Sequence, residues 1–150
     1  MTTGSIGHAV LMFAAMLLAG QVDAAGRLKV ERAWIRTAPP GATMLAGYAV
    51  LHNGGDAPVI VHAASSPDFG SVSLHETIEV DAVERMQPIE QVEVAPGASV
   101  TFAPGGKHFM LMRPSRNMAS GAAVTIHLDT NDSNGVDANF VVSEDSPGSH

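Results

Sequence analysis

The sequence predicts an all-β protein, a Greek-key sandwich or barrel of short strands. Three observations predict it. Short apolar or alternating runs recur along the chain, and turn formers, among 15 glycines and 9 prolines, separate them. Beyond residue 25, no stretch of about twelve residues holds a 3.6-residue apolar period without a breaker.

The elements follow in order. Leu28 to Trp34 is the first strand, ahead of Pro39-Pro40-Gly41, and Leu45 to Leu51 the second, ending before Asn53-Gly54-Gly55-Asp56. Val59 to Ala63 is closed by Ser66-Pro67-Asp68. Val72 to Ile78 and Val83 to Met86 read as a hairpin around a turn near Val80-Asp81. Gln91 to Val94 runs into Ala95-Pro96-Gly97, and Ser99 to Phe102 into Pro104-Gly105-Gly106. His108 to Met112 is bounded by Gly106 and Pro114; Ala122 to Leu128 and Ala138 to Val142 flank the turn residues Asn131 to Gly135. Each break supplies a glycine that tolerates φ > 0 or a proline whose φ is fixed, which ends a strand and turns the chain. The tail from Ser143 is polar and expected to fray.

A chain of 150 residues with 45% hydrophobic content suits one domain with its own core. Residues 1–24 read as a secretory signal: Ala9 to Leu18 is apolar, and small residues lead to a cleavage point after Ala24. The domain is then 25–150, with a compact core at about 28–142. The signal lacks Lys or Arg near its start, but its apolar run falls short of the ~20 residues that span a bilayer, so no stable membrane insertion is expected after cleavage. The signal is expected to direct export.

Composition excludes several classes. A net charge of −7 with only eight Lys and Arg leaves no basic stripe for phosphates, so no nucleic-acid partner is expected. With no cysteine, disulfide exchange, cysteine-linked lipidation and a thiolate-ligated blue-copper centre are all excluded. Neither a Ser-His-Asp pattern nor a P-loop appears, and the chain is read as a non-enzyme.

The chemistry-bearing residues are His75, Met86, His108 and Met110, spaced His-x10-Met-x21-His-x-Met. Two imidazoles and two thioethers suit Cu(I), a soft closed-shell ion, whereas Mg²⁺ and Ca²⁺ want oxygen and structural Zn²⁺ usually recruits thiolates. On a strand, His108 and Met110 share a face, and Met112 continues it. If the predicted hairpin pairs residues whose numbers add to about 161, His75 sits directly across from Met86, with Cβ atoms ~5 Å apart. Glu76 then points to the opposite face. Met112 is held as a substitute for Met110. Met44 precedes a strand and is expected to pack in the core, with an outer place beside the site as the alternative; His52 and His62 are expected to be solvated and His127 to face outward.

This ordered set resembles the periplasmic copper chaperones associated with the CuA centre of cytochrome c oxidase. The likeness runs from about Glu31 to Val142 through Ala33-Trp34-Ile35-Arg36, Pro39-Pro40-Gly41, Tyr48 before Asn53, Ser66-Pro67, Leu74-His75-Glu76-Thr77, Met86-Gln87-Pro88, Pro104-Gly105-Gly106 and His108 to Met112. The resemblance implies a cupredoxin-like fold, Cu(I) held by two His and two Met near the surface, and a cytochrome c oxidase subunit or a copper-relay assembly factor as acceptor; a monomer is expected. The sequence departs at Glu76, where many members have Met, and lacks a His- and Met-rich tail. Two rivals remain: an interaction or assembly module that binds no metal, and a copper-dependent oxidoreductase.

Overall fold

The computed structural model describes residues 27–132 and 134–148; the signal segment lies outside them. Each of the ten strands predicted from the alternation is present: β1 (Leu28–Arg36), β2 (Met44–Asn53), β3 (Val59–Ser65), β4 (Phe69–Val80), β5 (Val83–Pro88), β6 (Val92–Val94), β7 (Ser99–Phe102), β8 (Lys107–Pro114), β9 (Ala123–Thr130) and β10 (Val136–Ser143). Most run one to three residues beyond the predicted bounds.

Seven of them close on themselves in the order β4-β8-β2-β1-β10-β9-β3, and β3 returns to β4 through Ala64 and Val72. Closure pairs each of these seven strands on both sides. β5 extends the sheet from β4, β6 pairs β3, and β7 pairs the second half of β2, whose first half pairs β8. All neighbours are antiparallel except β1 and β10, where Ile35 lies beside Val142.

Alternation sets what fills the barrel. Ile35, Leu51, Val61, Phe109, Leu111, Ile126, Leu128 and Phe140 are all buried. Phe109 stacks on Phe102 at 4.5 Å and meets Phe140 edge-on at 5.7 Å, the favoured geometry for an aromatic pair of opposite tilt. Truncating such a ring costs about 3–5 kcal/mol. Asn53 is a fully buried polar residue, and it is fully engaged: its Nδ2 donates to Ala57 O and Val94 O, and its Oδ1 accepts from Gly55 N.

Two local irregularities shape the outer face. β1 carries one extra residue between Glu31 and Trp34, with Arg32 at φ 50°, so the inward set changes from Leu28 and Val30 to Ile35. Trp34 is thereby turned outward beside its partner Tyr48, the ring centroids 4.9 Å apart, and Arg36 lies over both rings.

The second irregularity corrects the predicted hairpin. β4 and β5 join through a two-residue turn, Asp81-Ala82, with φ of 52° and 60°; positive φ at both positions is the type I′ pattern that matches strand twist. Register is therefore shifted by two: His75 opposes Pro88, and Met86 opposes Thr77. Because the side-chain period is two, this slip leaves Met86 on the expected face but diagonal to His75 instead of directly across.

Candidate metal centre

β4 and β8 pair so that His75 and His108 are direct cross-strand neighbours, and their rings stack with centroids 5.9 Å apart and an interplanar angle of 22°. Both project outward, because Leu74, Phe109 and Leu111 take the inward positions. His108 is nonetheless only 5% exposed. Its Nδ1 donates to Gly106 O at 3.2 Å, so in the neutral tautomer the lone pair lies on Nε2. That Nε2 is buried and has no hydrogen-bonding partner. A buried acceptor without a donor costs free energy, and a metal ion is one group that would relieve it.

His75 is half-buried, with Nδ1 3.3 Å from Ser73 Oγ. Burial, and secondarily the neighbouring His108, hold its pKa below the usual 6.5. Both causes favour the neutral imidazole, which is the form that ligates metals.

Met110 follows on the same face of β8, half-buried between Ser73 on β4 and Ala46 on β2. Those small neighbours leave room for the thioether. Met86, at 61% exposure, reaches in from β5. Met86, His108 and Met110 line one cleft of about 220 Å³, together with Met44, Arg36 and the Thr37–Pro39 segment. His75 adjoins it through the stacked His108 ring. A larger neighbouring cleft of about 580 Å³, over Pro39–Thr43, Arg113 and Arg116, contains no imidazole. Among the described residues no three His, Asp or Glu side chains converge in a way that could hold a metal. The cleft's donors are thus nitrogen and sulfur, a set suited to a soft monovalent ion.

Other sequence expectations divide. Glu76 points away from His75, accepting from Gln87 Nε2 at 2.8 Å and lying 3.7 Å from Lys107 Nζ. His127 faces outward and is bound to Asp137 at 2.6 Å. His62 is exposed, whereas His52 is half-buried and bonded to Ser99 Oγ. Met44 does not pack in the core: it is 48% exposed and lines the cleft. Its outward direction was readable from the buried Leu45 beside it, since neighbours on a strand point to opposite faces. Arg36 belongs to the Ala33–Arg36 segment of the resemblance but carries no expected role in the site, and the β1 bulge that brings it to this face has no glycine to mark it.

Residues 28–142 match the family described as "Putative lipoprotein LpqE-like". The chain belongs to the LpqE-like family. A curated relative, "Putative lipoprotein Lxx21020" of Leifsonia xyli subsp. xyli, is 31% identical over 106 residues, 70% of this chain. The chain spans 63% of that relative's length. Among solved structures, this LpqE-like chain is similar to the apo PCuAC domain of PmoF1 (TM-score 0.67, 27% identity, covering 81% of this chain and 97% of that one). It is equally similar to the copper-bound PCuAC domain of PmoF2 (0.66, 27%, 81% and 97%). Cu(I)-loaded DR1885 of Deinococcus radiodurans aligns at TM-score 0.57 and 27% identity, covering 85% of this chain and 87% of that one. The LpqE-like barrel is accordingly all-β and cupredoxin-like, as those domains are.

Proposed function

We propose that this LpqE-like protein is an exported Cu(I) carrier, with His75, His108, Met86 and Met110 as its ligands. The observation that carries the reading is the buried, unpartnered Nε2 of His108, whose ring stacks on that of His75 and lines one cleft with the thioethers of Met86 and Met110. The copper-bound structural relatives support it.

The donor set explains how cargo could be held and released. Four neutral ligands leave the complex at +1, and thioethers cannot close to disulfides in an oxidising compartment. The two imidazoles anchor the ion at the covered end of the cleft, and Met86 caps it from the exposed end. An acceptor's thiolates replace the exposed thioether first. The acceptor in this reading is a cytochrome c oxidase subunit at its CuA site, or a thiol-bearing assembly factor, and the compartment is the periplasm.

Anaerobic Cu(I) titration against a chromophoric chelator tests the ligand set. One equivalent should bind, copper K-edge absorption should report both nitrogen and sulfur neighbours, and Met86→Ala with Met110→Ala should abolish tight binding. Absence of stoichiometric binding would overturn the proposal. For delivery, copper content of the separated apo-acceptor after mixing should rise to one equivalent per site; retention on the carrier would remove the oxidase from the reading.

A further inference from the structure

Methionines are distributed unevenly. Of the five among the described residues, Met118 is in the core, and the other four, Met44, Met86, Met110 and Met112, share one outer face. The ligand set above uses two of them.

The other two are placed together. Met44 and Met112 are direct partners across β2 and β8, so their Cβ atoms are about 5 Å apart. Met112 lies two residues past Met110 on the same strand face, roughly 7 Å farther along. On its other side Met112 faces Ser71, as Met110 faces Ser73, so a small hydroxyl residue leaves space beside each thioether. Met44 borders the same cleft as Met86, His108 and Met110 while remaining 48% exposed. An apolar side chain half in water gains little from packing, so burial does not account for its position.

We infer that Met44 and Met112 form a second, thioether-only station for Cu(I) at the Met44 margin of the cleft, beside Met110, to which the ion passes from the imidazole end. The inference rests on the copper reading above. Two neutral sulfurs bind a soft monovalent ion more weakly than a set that includes imidazoles, and they discriminate against Zn²⁺ and Cu(II). Such a station holds the ion briefly and presents it where a partner's thiolates can reach it. No electron or proton moves; one thioether replaces another on the same ion.

Methyl-¹³C-methionine NMR with Ag(I), a redox-inert soft monovalent stand-in, tests this on the full chain. The first equivalent should shift the Met86 and Met110 methyls, and the second should shift Met44 and Met112, with Met118 unmoved. If Met44 and Met112 stay fixed under several equivalents while Met86 and Met110 respond, the station is overturned and the copper reading stands. If none of the four responds, the copper reading itself fails. A kinetic arm follows with the volume-conserving double variant Met44→Leu, Met112→Leu. With first-site affinity measured on the same variant, Cu(I) transfer to a small dithiol should slow by about tenfold or more, beyond any change in that affinity. An unchanged transfer rate would count against the station.

Discussion

Replacing His108 with Leu should make the copper-free protein more stable while destroying its affinity for Cu(I). The magnitude follows from the hydrogen bonds. His108 is 5% exposed, and its Nε2 is buried without a partner, a state that costs about 1–3 kcal/mol. Leucine removes that cost. The substitution also removes the Nδ1–H donor to Gly106 O, about 0.5–1.5 kcal/mol, but this carbonyl still accepts from Thr77 N at 3.0 Å and is not orphaned. The net gain is about 1 kcal/mol, or roughly 3–6 °C in Tm. Urea and thermal melts of the apo protein measure it, and chelator competition measures the metal. Cu(I) affinity should fall more than about 100-fold, beyond what loss of an outer-sphere partner costs. A variant that melts below the parent, or that binds Cu(I) as tightly, would refute the idea that this imidazole is kept for a ligand at the expense of the fold.

The remaining predictions concern other parts of the same argument. His75 has its pKa lowered by burial and by His108, so it takes up protons only below 6.5; Cu(I) affinity should be flat above that pH and decline below it, and affinity unchanged down to pH 5 would argue against imidazole ligation. Ala82→Gly relieves a non-glycine residue at φ 60° in the type I′ turn and should stabilise the protein by about 0.5–1 kcal/mol, read as a higher urea midpoint with copper stoichiometry unchanged. Asn53→Ala strands Ala57 O, Val94 O and Gly55 N and should cost about 2–4 kcal/mol in the same melts. Under dilute peroxide, peptide mass spectrometry should find Met86 oxidised well before Met118, with Cu(I) affinity lost in step with the Met86 sulfoxide.

The strands were legible because the core they fill is written at period two. Phe109 and Leu111 are inward and His108, Met110 and Met112 outward on one strand, so the alternation that identifies β8 also assigns the face of its candidate ligands. The hairpin shows how far this reaches. Its register was read two residues off because type I′ geometry is built here from Asp81 and Ala82, without the Asn or Gly that ordinarily signals it. The face of Met86 survived the error and its partner did not. What the sequence pattern could not carry was anything set by chain-distant pairing: the parallel contact of β1 with β10, the closure of β3 on β4, and the covering that leaves an outward-facing His108 almost wholly buried.

That covering bears on how a closed barrel can carry an exchangeable ion. Phe102, Phe109, Leu111 and Phe140 fill the interior around β8, so any site for cargo on this strand has to lie on the outer face. An outward position on its own would leave the imidazoles in water, where protons and other ligands compete freely. The fold answers with a second layer: β5 extends the sheet beyond His75, and the Thr37–Pro39 segment and Arg36 wall the cleft over His108 and Met110. The result is graded exposure along one face, from 5% at His108 through half-buried His75 and Met110 to 61% at Met86. On the proposed ligand set, donors that differ this much in access would not be displaced together: exchange would begin at Met86 and reach His108 last, in the order that burial sets.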